Sequence, residues 1–191
     1  MSDNSVPNAQ PFFEDNAVGR LKKEIWEASD EQIDRMLAEY GIPSPCEWAK
    51  PGSYIQTTIR HQVEANRRKN DIVIIPVGCT ELHGRHTVSA MDTLFVSHIA
   101  EGVRRYTAKR GAPVNLALPP LNYGCHPYHH LGMPGTVIIR EEVAKEFLID
   151  TMLGLWNDGF RKQIFLNNHG QLWVLEAAIQ QFCKRYHLPG I

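Results

Sequence analysis

Apolar residues along this chain follow two regimes that change near position 70. Before it they recur at helical spacing among charged residues; after it short continuous apolar runs alternate with longer amphipathic stretches. The run Ile72-Val73-Ile74-Ile75-Pro76-Val77-Gly78 predicts a buried strand over 72–77 that passes into a loop. Further strands are predicted over 114–118 and 163–167, the last around Gln163-Ile164-Phe165-Leu166. Between and after them helices are predicted over 93–108, 141–157 and 172–186. The first should turn Leu94, Val96, Ile99 and Val103 inward, the second Val143, Phe147, Met152 and Trp156. This βαβαβα order predicts an α/β domain over 71–191 with a mainly parallel sheet covered by helices.

Residues 1–70 read as a helical extension in front of that domain. Met1 to Asp15 is polar and Pro-containing, without a signal-peptide core. Ser29 followed three residues later by Gln32 resembles a capping box, and Gly41 before Pro43 should stop the helix it opens. Tyr54 to Lys69 predicts another helix, with Ile55, Ile59 and Val63 on one stripe. The basic cluster Arg67-Arg68-Lys69 closes that helix, where cations favour its dipole.

Chemistry-bearing residues collect where the strands end. Glu81-Leu82-His83 follows the first strand, and Asp92 stands eleven residues after Glu81. In extended backbone residues i and i+2 point to one side, so Glu81 and His83 can face one point. Two carboxylates and an imidazole are ligand types that zinc and similar divalent ions take. The last strand ends in Asn167-Asn168-His169-Gly170, a second polar turn for the same sheet edge. Each residue alone has a plainer role: Asp92 as a helix N-cap, Glu81 and His83 as solvated loop polars, His169 as a strand-end residue bonded to backbone. Between the two turns, Tyr123-Gly124-Cys125-His126-Pro127-Tyr128-His129-His130 holds three of the nine histidines. Such a loop can ligate metal, transfer protons or bind a polar substrate.

Composition narrows the partners. A formal net charge of −1 and a pI of about 6.7 create no field that would draw nucleic acid or an anionic membrane. No apolar run approaches the roughly 20 residues of a membrane span. Cys46, Cys79, Cys125 and Cys183 are scattered without a C-x-x-C pair, which suits reduced thiols in a cytoplasm.

Pro76-Val77-Gly78-Cys79-Thr80-Glu81-Leu82-His83-Gly84-Arg85-His86, with Asp92, resembles the P-x-G-S-x-E-Q-H-G-x-H signature of the creatininase family of amidohydrolases. Pro134-Gly135-Thr136 with His130 is similar to that family's H-x-x-F-P-G-T loop. Gly159-Phe160-Arg161-Lys162 and Asn168-His169-Gly170 are similar to its G-F-R-K…N-G-H segment. The resemblance implies a three-layer α/β/α domain, hexameric assembly and a site for two divalent metal ions, zinc or manganese. It implies that Glu81 and His169 hold one ion, that His83 holds the other and that Asp92 bridges them. His126, Tyr128 and His129 would then line the substrate pocket, with His130 orienting the substrate or moving a proton.

Departures from the family pattern shape the expected activity. Creatininase has a glutamate ligand where this chain has Gln171, and a neutral amide is a poor substitute for a carboxylate on zinc. Leu82 replaces a glutamine, and Thr87-Val88-Ser89 replaces a Leu-Pro-Leu stretch. The N-terminal extension is similar to branches acting on other rings, including one that opens 3-dehydro-scyllo-inosose in inositol breakdown. The expectation is a metal-dependent hydrolase opening a small oxygen-rich cyclic carbonyl compound. Alternatives are a creatinine or formamide amidohydrolase, or a truncated metal-binding remnant without turnover. Family members continue well beyond the position of Ile191, so a missing C-terminal part is also expected.

Overall fold

Strand β1 (Ile72–Val77) is buried at five of its six positions, which leaves it no solvent face. That is the pattern of a parallel strand covered on both sides. A computed structural model of the chain describes residues 12–39, 54–85, 87–117, 120–126 and 130–188. In it β1 pairs in parallel with β2 (Asn115–Leu116) on one side and β3 (Lys162–Asn167) on the other, giving the order β2-β1-β3. Helix α4 (Met91–Lys109) connects β1 to β2, α5 (Glu141–Asn157) leads to β3, and α6 (Leu172–Tyr186) follows it. Ahead of the sheet lie α1 (Ala17–Trp26), α2 (Asp30–Glu39) and α3 (Arg60–Lys69). Among the described residues no helix is long and apolar enough to cross a membrane.

The period-two alternation of β1 divides the apolar side chains between two cores. Val73, Ile75 and Val77 pack with Leu148, Ile149 and Met152 of α5 and with Leu175, Ala178 and Phe182 of α6. Ile74 faces the other way, into a smaller core with Ala100 of α4 and Leu116. The result is the expected α/β/α arrangement: α4, the sheet, then α5 and α6. Each fully buried Val, Leu, Ile, Phe or Met side chain among them stabilises the fold by about 1.5–3 kcal/mol, which holds β1 between the two helical layers.

Connectivity decides where a site can form. The chain leaves β1 toward β2 by way of α4, then crosses back to β3 by way of α5 on the opposite face. The two loops leaving β1 and β3 therefore part at their C-terminal ends, opening the crevice in which open α/β sheets bind ligands.

Pro76 sits in this central strand although it has no N–H to give a ladder. Its neighbour on the same side, Ile74, accepts from Ala117 N at 2.8 Å, so that side of β1 faces β2. At Pro76 β2 has already ended, and the proline carbonyl instead accepts from Leu121 N at 3.0 Å. The strand predicted over 114–118 is correspondingly short, and the sequence that follows it, Pro119-Pro120, has no N–H to extend the ladder.

Three helical expectations need correction. On α4 the sheet-facing residues are Val96 and Ala100, with Val103 packed beside them, whereas Leu94 and Ile99 are exposed. On α5 Leu148, Ile149, Met152 and Leu155 are buried, while Val143 and Phe147 face out. Both helices carry more than one apolar stripe, and periodicity cannot choose between stripes. The helix predicted from Tyr54 is split. A single 3-10 turn at Ile55–Thr57 is followed by extended Thr58 and Ile59 before α3 begins. Tyr54 makes a parallel bridge to Leu116, and its carbonyl accepts from Thr57 Oγ1 and Thr58 Oγ1, which halts the helix.

The N-terminal helices behave closer to expectation. Ser29 N donates to Gln32 Oε1 at 2.7 Å and Gln32 N to Ser29 Oγ at 3.3 Å, the two reciprocal bonds of a capping box. Helix α3 packs onto the α/β core through Val63, and Arg67 reaches Asp158 Oδ1 at 3.0 Å. Gly41 and Pro43 lie outside the described residues.

Candidate metal centre

Gly78 sets the geometry of the site. A β-carbon on it would stand 2.5 Å from Thr93 Cα, so only glycine lets the exit of β1 press against the first turn of α4. Thr93 Oγ1 then donates to Cys79 O at 2.9 Å, and the Asp92 side chain comes beside Cys79. The next residues are pinned by backbone bonds. Glu81 N donates to Ser89 O at 3.0 Å, Leu82 N to Thr136 Oγ1 at 2.9 Å, and Val137 N to Thr80 O at 3.0 Å. From β3, Asn168 N donates to Val77 O at 2.9 Å and carries His169 to the same place.

Glu81 is the hub. Its Oε1 lies 3.2 Å from His83 Nε2. Its Oε2 lies 3.3 Å from His126 Nε2, 3.4 Å from His169 Nε2 and 3.6 Å from His130 Nε2. His83 Nε2 is also 3.5 Å from Asp92 Oδ2. Asp92 accepts from Cys79 Sγ at 3.0 Å and from Asn168 Nδ2 at 3.2 Å. It does not cap α4: Ala90 is the N-cap residue and makes no side-chain cap bond. The donor atoms form two groups that share Glu81, one with Cys79, His126 and His169, the other with His83 and Asp92. Within each group all donor atoms lie within 4.8 Å of one another.

Hydrogen bonds to backbone carbonyls constrain the tautomers of two of these histidines. His126 Nδ1 lies 3.2 Å from Gly124 O and His83 Nδ1 3.1 Å from Glu81 O. A carbonyl only accepts, so both Nδ1 atoms carry a proton, and a neutral His126 ring presents a lone pair at Nε2. His126 Nε2 thus points a lone pair at a carboxylate oxygen, with its side chain fully buried. Neither His126 Nε2 nor Glu81 Oε2 has a hydrogen-bond partner, and His169 Nδ1 is also buried without one. Burial, then the neighbouring His169, holds His126 below the usual histidine pKa, which disfavours a proton as the missing link. A divalent cation satisfies both atoms at once. The Cys79 thiol is pushed up by burial and then by its bond to Asp92, so without a cation it remains a donor.

Gln171 is buried and does not join the cluster. Its Oε1 accepts from Cys125 N at 2.9 Å and its Nε2 donates to Gly78 O at 3.2 Å. The amide ties the exit of β1 to the histidine loop and to the start of α6. A neutral amide serves that purpose where a carboxylate would repel the Gly78 carbonyl.

The residues predicted from sequence as metal ligands, Glu81, His83, Asp92 and His169, converge in the structure. His126, expected in the substrate pocket, shares a group of candidate donor atoms with Cys79, Glu81 and His169. His130 stands at the rim with its side chain 20% exposed. Tyr128 and His129 lie outside the described residues. Sequence reasoning passed over Cys79, although it stands two residues before Glu81 and so shares the i, i+2 relation noted for His83. Asn168 was likewise quoted only as part of a turn.

Comparison with known proteins identifies the family and the fold. The creatininase family profile, described as creatinine amidohydrolase, matches residues 56–190. A 3-dehydro-scyllo-inosose hydrolase of Thermotoga maritima is 44% identical over 140 residues, covering 73% of this chain and 43% of the relative. A mycofactocin precursor peptide peptidase of Mycolicibacterium smegmatis is 32% identical over 114 residues, covering 56% of this chain and 43% of that protein. The chain thus spans less than half the length of these curated relatives. Among solved structures, a creatinine amidohydrolase superposes with a TM-score of 0.63 at 21% identity, covering 72% of this chain and 53% of that one. A manganese form of creatininase gives 0.62 at 20% identity, covering 71% and 53%, and a Zn-Zn form of a creatininase mutant gives 0.63 at 20% identity, covering 72% and 54%. By the family profile, which spans most of its length, this chain belongs to the creatininase family.

Proposed function

We infer that this chain carries the metal-binding part of a divalent-metal-dependent hydrolase that opens a small, oxygen-rich cyclic carbonyl compound. The observation that carries the reading is the Glu81 carboxylate, its side chain 13% exposed, facing the Nε2 atoms of His83, His126 and His169 at the C-terminal ends of β1 and β3. Glu81, His83, Asp92 and His169 would hold two divalent ions, zinc or manganese, with His126 beside them. When bound, such ions polarise a carbonyl and lower the pKa of water. The chain's own residues supply the rest. His83 and His126 keep their Nε2 atoms aimed inward through bonds to backbone carbonyls. Asn168 holds Asp92 in place. His130, partly exposed and 3.6 Å from Glu81 Oε2, would move a proton between substrate and solvent.

The substrate class rests on two supports. Four imidazoles, of His83, His126, His130 and His169, surround Glu81, a polar setting that suits hydroxyl-bearing rings. The Thermotoga relative is named for 3-dehydro-scyllo-inosose, a ring of that kind. Cytoplasmic placement accords with three free cysteines among the described residues, and the family likeness supports homo-oligomeric assembly.

The experiment is a parallel assay of purified, metal-loaded protein against inosose-type cyclic ketones, creatinine, simple formamides and a short peptide, each repeated after chelation. Chelator-sensitive opening of the inosose-type ring is expected. Turnover of the peptide alone would move the protein toward the peptidase relatives, and chelator-insensitive inactivity on all four would sink the hydrolase reading.

A further inference from the structure

Cys79 is fully buried, and its sulfur belongs to the same group of donor atoms as Glu81, His126 and His169. A buried cysteine alone means little, since such residues usually only pack. Here a second observation points the same way. The His126 side chain is 0% exposed, and its Nε2 has no partner while facing the cluster. The spacing is informative as well. Zinc bonds of about 2.0–2.3 Å in a tetrahedron put neighbouring ligand atoms roughly 3.3–3.8 Å apart. Glu81 Oε2 lies 3.3 Å from His126 Nε2 and 3.4 Å from His169 Nε2. These contacts fail as hydrogen bonds yet match the edges of a tetrahedron.

We propose that Cys79, Glu81, His126 and His169 form one buried sulfur-, oxygen- and nitrogen-ligated cation position that selects zinc over manganese, distinct from an oxygen-richer position at Glu81, His83 and Asp92. This rests on the metal-dependent reading above and adds an asymmetry to it. Thiolate and imidazole suit zinc, while carboxylate, carbonyl and water suit manganese. Only Glu81 belongs to both groups. On binding, the Cys79 S–H bond breaks, a sulfur–metal bond forms, and the proton leaves to solvent. Asp92 Oδ2, 3.0 Å from the sulfur, is the first acceptor on its way out.

The test uses cobalt(II) as a spectroscopic substitute for zinc, added stepwise to the purified chain with bound metal counted by elemental analysis. A near-ultraviolet sulfur-to-cobalt charge-transfer band should appear with the first equivalent, and Cys79→Ser should remove the band while cobalt still binds. Competition dialysis should show wild type preferring zinc to manganese at least tenfold more strongly than Cys79→Ser does. In wild type alone, peptide mapping after alkylation should show zinc slowing modification of Cys79 but not of half-buried Cys183, so the outcome does not depend on a variant folding. Cobalt bound in stoichiometric amount without the band, or a band retained in Cys79→Ser, overturns the cysteine ligand and leaves the metal-dependent reading standing. Retention of neither cobalt nor zinc by wild type overturns both.

Discussion

Gln171 Oε1 lies 2.3 Å from the point where a β-carbon on Gly124 would stand. The histidine loop therefore lies against that amide with no side chain between, and Cys125 N donates to it at 2.9 Å. This contact, with the bond from Gln171 Nε2 to Gly78 O, gives the amide a structural role between the two loops. Gln171→Glu should destabilise the fold by about 2–4 kcal/mol, because a buried carboxylate would lose the bond to Gly78 O and repel that carbonyl. Urea unfolding measures the loss, and metal content should not rise. A variant as stable as wild type that gained an ion would show Gln171 to be a ligand position after all.

Removing the charge of Glu81 separates two effects that most ligand substitutions mix. Glu81→Gln should weaken both cation positions, since Glu81 belongs to both donor groups. Without metal, however, the new amide can donate to the His126 Nε2 lone pair, which has no partner in wild type. The metal-free variant should then be more stable than metal-free wild type by about 1 kcal/mol. Thermal melts with and without chelator check both signs. Asp92→Ala and His83→Ala should weaken chiefly the position at Glu81, His83 and Asp92, with occupancy read by elemental analysis.

His130 is the rim residue, and its role should be kinetic. His130→Ala should lower turnover of a ring substrate by roughly 10²–10⁴-fold if the imidazole transfers a proton in the transition state. Metal content should be unchanged. Loss of metal together with turnover would make His130 a ligand, and unchanged turnover would leave it without a catalytic role.

Away from the site, Glu101 on α4 provides a pH-dependent prediction. Its bond to Arg104, with Arg105 adding to it against the opposing effect of burial, brings its pKa down to about 2. A carboxylate depressed in the fold contributes stability above its ordinary pKa and loses it as pH falls toward the depressed value. Glu101→Gln should thus cost on the order of 1 kcal/mol at neutral pH, after allowing for solvent screening of a partly exposed pair. The difference from wild type should shrink as pH falls from about 4.5 to about 2, followed by urea midpoints across that range.

The sequence announced the site better than the helix faces. β1 and β3 are short apolar runs ending in polar turns, and that contrast survives without knowledge of neighbours. Glu81, His83, Asp92 and His169 were legible because they stand at those ends or at the start of the next helix. Leu94, Ile99, Val143 and Phe147 were misplaced because α4 and α5 are apolar on more than one side, so only tertiary packing selects the buried stripe. Cys79 looked like one of several scattered thiols, since its nearness to Asp92 depends on Gly78 letting α4 approach. Gln171 was judged only as a failed ligand, for its two backbone partners come from segments distant in sequence.

The pairing of β1 with β3 bears on how the protein folds. Lys162 and Asp71, which meet at the open end of this pair, are 91 positions apart along the chain. Closing so long a loop is slow compared with forming local helices. A slip of one residue in that pairing would shift Asn168 by about 3.3 Å and turn alternate side chains to the wrong face. Metal uptake then serves as a report on native strand register. During refolding, helical signal should recover before metal-indicator signal, and a chain held in a slipped register should look folded by its helices yet bind no ion.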